Sequence, residues 1–195
     1  IALNLLNYID RYILAGELLP IQHEFHATDQ QMGALGTAFF FVYMLAAPAT
    51  GWLGDRFSRK PLIIFGATLW SFATLGALWV HSYSTLFMRQ AFVGIGEATF
   101  TIYAPSVISD FFSERERNRV LSIFYIAIPV GSAMGYLAGG QIGSHLGWRA
   151  PFLICAVPGF VAAAMYAFIG REPKRGAMDF VSATPNRATF LGLFK

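Results

Sequence analysis

The sequence is a succession of apolar runs, each about 20 residues long, broken by short charged or turn-forming joints. The runs lie near residues 1–19, 31–53, 61–80, 84–112, 120–143 and 149–170. Pro20, the charged stretch 54–60, His81-Ser82, the charged stretch 113–119 and Gly147 mark the joints. A helix needs about 20 mostly apolar residues to cross a hydrocarbon core about 30 Å thick, so 195 residues accommodate six crossings with short connections. Charged residues make up 13% of the chain and hydrophobic ones 55%, against about a quarter charged in soluble domains. An all-α integral membrane protein is expected, with no room for a sizeable soluble domain.

The distribution of charge supports that reading. A net charge of +3 would suit a nucleic-acid partner only if the basic residues formed one patch, and they do not. Eleven of the fourteen Lys and Arg residues fall in alternate joints: Arg56, Arg59 and Lys60; Arg115, Arg117 and Arg119; and Arg171, Lys174, Arg175, Arg187 and Lys195. The intervening joints hold only Arg149, and Arg11 and Arg89 lie inside runs. The positive-inside rule then puts the basic joints and residues 171–195 in the cytoplasm of a multi-pass protein. Its setting is expected to be a bacterial inner membrane or a eukaryotic cell or organelle membrane. The first run has no basic leader and is interrupted by Asn4, Asn7, Asp10 and Arg11, so it reads as a helix already under way rather than a secretory signal. Cys155, the single cysteine, excludes an intrachain disulfide and offers no metal-ligand spacing. Neither a metal nor another cofactor is expected.

Folding the chain into two groups of three runs, about 1–80 and 84–170, pairs the stretch 54–61 with 143–151 on opposite sides of the membrane. The echo is short, but its placement is that of a 3+3 inverted repeat. The bundle is expected over 1–172, with 173–195 opening a cytoplasmic linker.

Charges within hydrocarbon cost at least about 2.5–3.5 kcal/mol each on insertion scales, so those present should face protein or water. Asp10 and Arg11 in the first run and Glu97 in the fourth fall at similar depth, near the midplane. Arg89 precedes Glu97 by about 12 Å along the helix, and Asn4, Asn7 and Arg11 form a polar stripe. These residues suit a substrate or proton site; alternatively, the charges neutralise one another as buried glue between helices. Asp55, Arg59 and Asp110 lie at cytoplasmic helix ends, where they either latch one conformation or form an ordinary surface ion pair. Gly94, Gly96, Gly131, Gly135, Gly139 and Gly140 favour close helix packing, and Pro105 and Pro129 kinks. Phe39, Phe40 and Phe41 read as lipid contact or core rather than a ligand cage.

With these residues in view, the tract Gly51-Trp52-Leu53-Gly54-Asp55-Arg56-Phe57-Ser58-Arg59-Lys60 resembles the cytoplasmic loop signature of the major facilitator superfamily, with Ser58 where Gly is usual. Arg89 with Gly94-Ile95-Gly96-Glu97 resembles its fourth-helix motif, and the stretch 129–140 its glycine-rich fifth-helix motif. Asn7-Tyr8-Ile9-Asp10-Arg11, Leu121-Ser122-Ile123-Phe124-Tyr125 and Arg171-Glu172-Pro173 are similar to Spinster-like members in particular. The resemblance implies the N-terminal six-helix half of a twelve-helix, alternating-access transporter rather than an enzyme, with a second six-helix half as its partner. It implies an amphipathic, lysolipid-like or sphingoid phosphate substrate and proton-gradient coupling. Asp10, Arg11 and Glu97 would form the substrate and proton site, and Asp55, Arg59 and Asp110 the latch. A small organic anion or sugar carrier, or a transport-inactive sensor or scaffold, stays open as an alternative.

Overall fold

The structure is a computed structural model describing residues 1–178, and every regular element among them is helical. In chain order these are α1 (Ala2–Gly16), α2 (Leu18–Phe25), α3 (Asp29–Arg56), α4 (Arg59–Leu75), α5 (Tyr83–Phe111), α6 (Glu114–Leu146) and α7 (Ala150–Ile169), with a 3₁₀ turn over Gly76–Trp79 extending α4. The part of the expected linker beyond residue 178, including Arg187 and Lys195, lies outside the described residues.

Five elements are individually long and apolar enough to cross a membrane: α3, α4 with its 3₁₀ turn, α5, α6 and α7. The expected first span is instead a broken rod. α1 has 15 residues, Glu17 interrupts it, and α2 carries the chain on to Phe25. Pro20 does not end the helix as expected. It lies in the first turn of α2, where its missing N–H removes no intrahelical hydrogen bond. The charged joint 113–119 is likewise mostly helix. Ser113 precedes α6, and Glu114 and Glu116 occupy its first turn, where acidic groups complement the helix dipole.

The other joints terminate helices for local chemical reasons. Thr28 accepts from Gln31 N–H while the Gln31 side chain accepts from Thr28 N–H, a reciprocal cap that starts α3. Ser82 and Thr85 cap α5 in the same way. Gly147, at φ 84°, takes the left-handed conformation that ends α6 and lets the chain reverse into α7.

The helices pack with small residues at the crossings. Along α6, Gly131, Gly135 and Gly139 recur every four residues and meet Tyr8, Ile9 and Ile13 of α1, so a Cβ at any of them would fall within 3 Å of α1 atoms. Gly96 of α5 is pressed against Trp70 and Gly66 of α4. Such approach is what membrane helices need, because lipid removes the hydrophobic drive for association and leaves dispersion between close surfaces. Around these crossings sit two apolar clusters, one about Ile13, Ile21, Leu35, Leu86 and Phe152, the other about Ile63, Trp70, Phe100 and Phe124.

Candidate functional site

Asp10 and Arg11 are adjacent on α1 and therefore point about 100° apart. That angle sends them to different neighbours. Arg11 reaches α5, where its Nε and Nη2 donate to Glu97 Oε2 at 2.8 and 2.6 Å. Its guanidinium also lies over the rings of Tyr8, Phe39 and Tyr43, with centroids at 4.8, 5.0 and 5.7 Å. Asp10 turns toward α4 and accepts from Thr74 Oγ1 at 2.9 Å. The two carboxylates are thus both buried in the bundle and held by different partners.

Exposure orders the pair. The Glu97 side chain is fully enclosed, whereas Arg11 retains 16% of its surface and forms the accessible face. Several buried polar atoms have no hydrogen-bonding protein partner, among them Glu97 Oε1, Asp10 Oδ1, both amide atoms of Asn7, and Ser71 Oγ. The Asn7 amide approaches Glu97 without a hydrogen bond of good geometry. Asn4, the start of the polar stripe, donates to the Phe124 carbonyl at 2.7 Å and joins α1 to α6. Glu97 thus has a cation against one carboxylate oxygen and no partner on the other, so whatever draws Arg11 away leaves the carboxylate without its ion pair.

Arg89 is not part of that contact. Its Nε donates to the Ala73 carbonyl and Nη1 to Gln90 Oε1, at 2.8 and 2.9 Å, and its guanidinium lies 4.4 Å from the Phe152 ring centroid. It sits between α4 and α7 rather than on the wall beside Glu97. Of the three phenylalanines, Phe39 is buried against Arg11, while Phe40 and Phe41 face outward.

At the end of the bundle carrying residues 54–60, Arg59 Nη1 pairs with Asp110 Oδ2 at 2.6 Å. Asp55 is exposed and contributes its backbone carbonyl instead, to Arg175. Arg175 also donates to the carbonyls of Gly54 and Phe57, which closes the C-terminus of α3. Glu172 accepts from Arg59 N–H at the start of α4, and Gly176 N–H donates to Asp110 Oδ1. The segment after α7 therefore straps the α3–α4 joint, a role for Glu172 and Arg175 that the sequence reading missed.

The opposite end holds a related arrangement, also missed. Arg149, at the start of α7, makes a two-point contact with Glu24 of α2 at 2.7 and 3.0 Å and donates to the Val80 carbonyl. Trp148 Nε1 donates to Glu24 Oε2 at 2.6 Å. Each pair joins an arginine at the start of a helix to a carboxylate near the end of another, and the two arginines fall in the stretches that the sequence echo aligned. The Arg149 and Trp148 hydrogen bonds hold the Glu24 carboxyl below its ordinary pKa. A depressed carboxylate contributes stability that is present above its unfolded value, about 4.3, and lost as pH falls through the folded value. Glu24→Gln should therefore melt below the parent at pH 7, by at most about 1 kcal/mol for so exposed a pair, and the difference should close on acidification. Thermal unfolding in detergent from pH 7 to 3 reads both.

The Major Facilitator Superfamily sequence profile matches residues 1–194, and the chain belongs to that superfamily of membrane transporters. Within it, the chain is similar to Spinster proteins: it is 40% identical to human protein spinster homolog 1 over 186 residues and 39% identical to the zebrafish sphingosine-1-phosphate transporter over 181. These alignments take in 94% and 90% of the chain but 35% and 36% of the relatives, so the chain spans about a third of their length. A solved bacterial homologue of the human lysosomal transporter Spinster, inward-facing and unoccupied, superposes with a TM-score of 0.83 at 30% identity, over 94% of this chain and 44% of that one. A peptide transporter structure shares the fold at a TM-score of 0.77 and 17% identity, over 86% and 36%.

Proposed function

We propose that the complete protein is a secondary active transporter that moves an amphipathic anion of lysophospholipid or sphingoid phosphate type by alternating access, coupled to protons. The observation that carries this reading is the partly accessible Arg11 on the enclosed Glu97. An anionic head group entering the interior competes with Glu97 for the guanidinium. Once Arg11 turns to the substrate, Glu97 is a buried carboxylate without its counter-charge, and it takes up a proton. Return of Arg11 after substrate release favours loss of that proton. Asp10, held by Thr74, is a second carboxylate within the same interior.

The substrate class rests on chemistry shared with the relatives. The zebrafish relative is named a sphingosine-1-phosphate transporter, and an anionic head with an apolar tail suits an arginine set among Tyr8, Phe39 and Tyr43. The basic end is assigned to the cytoplasm, where Arg59, Asp110 and the strap of Glu172 and Arg175 latch one conformation. Exposed apolar side chains on α3 and α6, among them Phe41, Met44, Val130, Met134 and Leu137, meet a second six-helix half or lipid.

The deciding experiment is uptake of radiolabelled substrates into liposomes by the complete protein, across lysolipids, sphingoid phosphates, small organic anions and sugars, with and without a pH gradient. Flux of an anionic single-chain lipid that rises with the gradient is the expected result. Flux confined to the small solutes would replace the lipid reading, and binding without flux would make the protein a sensor.

A further inference from the structure

We infer that Glu17 is a proton-binding site in its own right, separate from Asp10 and Glu97, and that the end of the α1–α6 seam beyond Ile13 packs closed only when the Glu17 carboxyl carries its proton. The residue stands at the break between α1 and α2, yet it is only 1% exposed. Its Oε1 is buried without a hydrogen-bond partner. The carboxyl fills the place of a side chain at Gly143 of α6, where a Cβ would overlap Oε1.

The seam explains how it came to be buried. Gly131, Gly135, Gly139 and Gly143 recur every four residues on α6 and receive successive turns of α1. The first three meet side-chain carbon and backbone atoms about Tyr8, Ile9 and Ile13; the fourth meets a carboxyl group. Close packing thus continues through a residue that could have remained in water.

No neighbouring charge compensates it. On α1, Asp10 lies two turns back on the same face, about 10 Å away, and is held by Thr74. On α6 the facing positions are glycines; His145 is exposed about 200° further round, and the Tyr136 ring is paired with Tyr12. On α2, His23 and His26 are exposed and Glu24 is engaged by Trp148 and Arg149. At α7, Arg149 is directed to Glu24 and the Val80 carbonyl. Glu97 has an arginine and Asp10 a hydroxyl; Glu17 has neither. An ionised carboxylate here would lose its water with nothing in exchange, whereas the protonated form is neutral and fits the same space.

The tests use the complete protein in detergent and do not involve transport, so their failure is separate from failure of the proposed function. The carboxyl holds its proton when packed and ionises in water above about pH 4.3, so the packed state loses stability as pH rises through that range. Gln keeps the neutral shape and cannot ionise. Unfolding midpoints of the parent and Glu17→Gln should coincide near pH 4.5 and separate by pH 8, with the variant at least about 3 °C higher. Parallel curves would overturn the inference. Infrared spectra at pH 7 should show a protonated carboxyl band that Glu17→Gln removes; an unchanged band overturns it as well. As a check on the geometry, Gly143→Ala should destabilise the parent but far less a Glu17→Ala background, and additive losses would show that the carboxyl does not occupy that space.

Discussion

Glu97→Gln in the complete protein is expected to abolish the response of substrate flux to a pH gradient while leaving substrate binding in place. Gln preserves the volume of the side chain and still offers Arg11 an oxygen, so the geometry of α1 against α5 is retained. What disappears is the exchange of a proton. In the parent, charge on Glu97 and occupancy of Arg11 by an anion are alternatives; in the variant, Arg11 is released to the anion at no electrostatic penalty. Gradient-driven accumulation should fall by at least about tenfold, equivalent to about 1.4 kcal/mol of lost coupling. Exchange of labelled for unlabelled substrate, which needs no net proton movement, should persist. If Glu97→Gln accumulates substrate with the parent's pH dependence, Glu97 is a structural tether and Asp10 becomes the coupling carboxylate.

The number, order and crossing points of the long helices could be read from the sequence because each rests on a local signal. Runs of lipid-compatible length locate α3 to α7, Thr28 and Ser82 carry the side chains that begin α3 and α5, and the glycine period along α6 marks its packed face. The failures have local causes too. Pro20 reads as a stop because proline breaks helix interiors, but the actual break, Glu17, falls just before it and leaves Pro20 in a first turn where it is tolerated. Glu114 to Arg117 looked like a solvated joint because they are charged, yet two carboxylates at a helix start favour helix.

The site was legible to the extent that buried charge is rare. Depth along each run placed Asp10, Arg11 and Glu97 together, but depth carries no azimuth across chain segments, so it could not tell which carboxylate Arg11 meets. Nor could it assign Thr74 to Asp10 or place Arg89 against the Ala73 carbonyl. The Glu24, Trp148 and Arg149 cluster and the Glu172 and Arg175 strap were illegible for a different reason. Each joins residues more than a hundred positions apart, and nothing in the local sequence of either partner marks the other.

Arg11→Ala should have the larger effect on the protein itself, because it removes one member of a buried pair and leaves the other. Glu97 then has no hydrogen-bonded cation, its side chain is enclosed, and Oε1 already lacks a partner. Breaking such a pair from one side costs about 3–5 kcal/mol. The loss should appear as a lower unfolding midpoint in detergent and as weakened binding of an anionic head group. Stacking of the guanidinium on Tyr8, Phe39 and Tyr43 is lost as well, so Arg11→Lys should recover charge but only part of the binding. The informative comparison is Arg11→Ala combined with Glu97→Gln. If the penalty of the single variant comes from an uncompensated carboxylate, the double variant should regain much of the stability while binding stays weak, since the anion's cation is still missing. Additive losses in the two variants would mean that Arg11 and Glu97 act independently. In that case an anion drawing on Arg11 would leave the proton on Glu97 unmoved, and the coupling would have to run through Asp10.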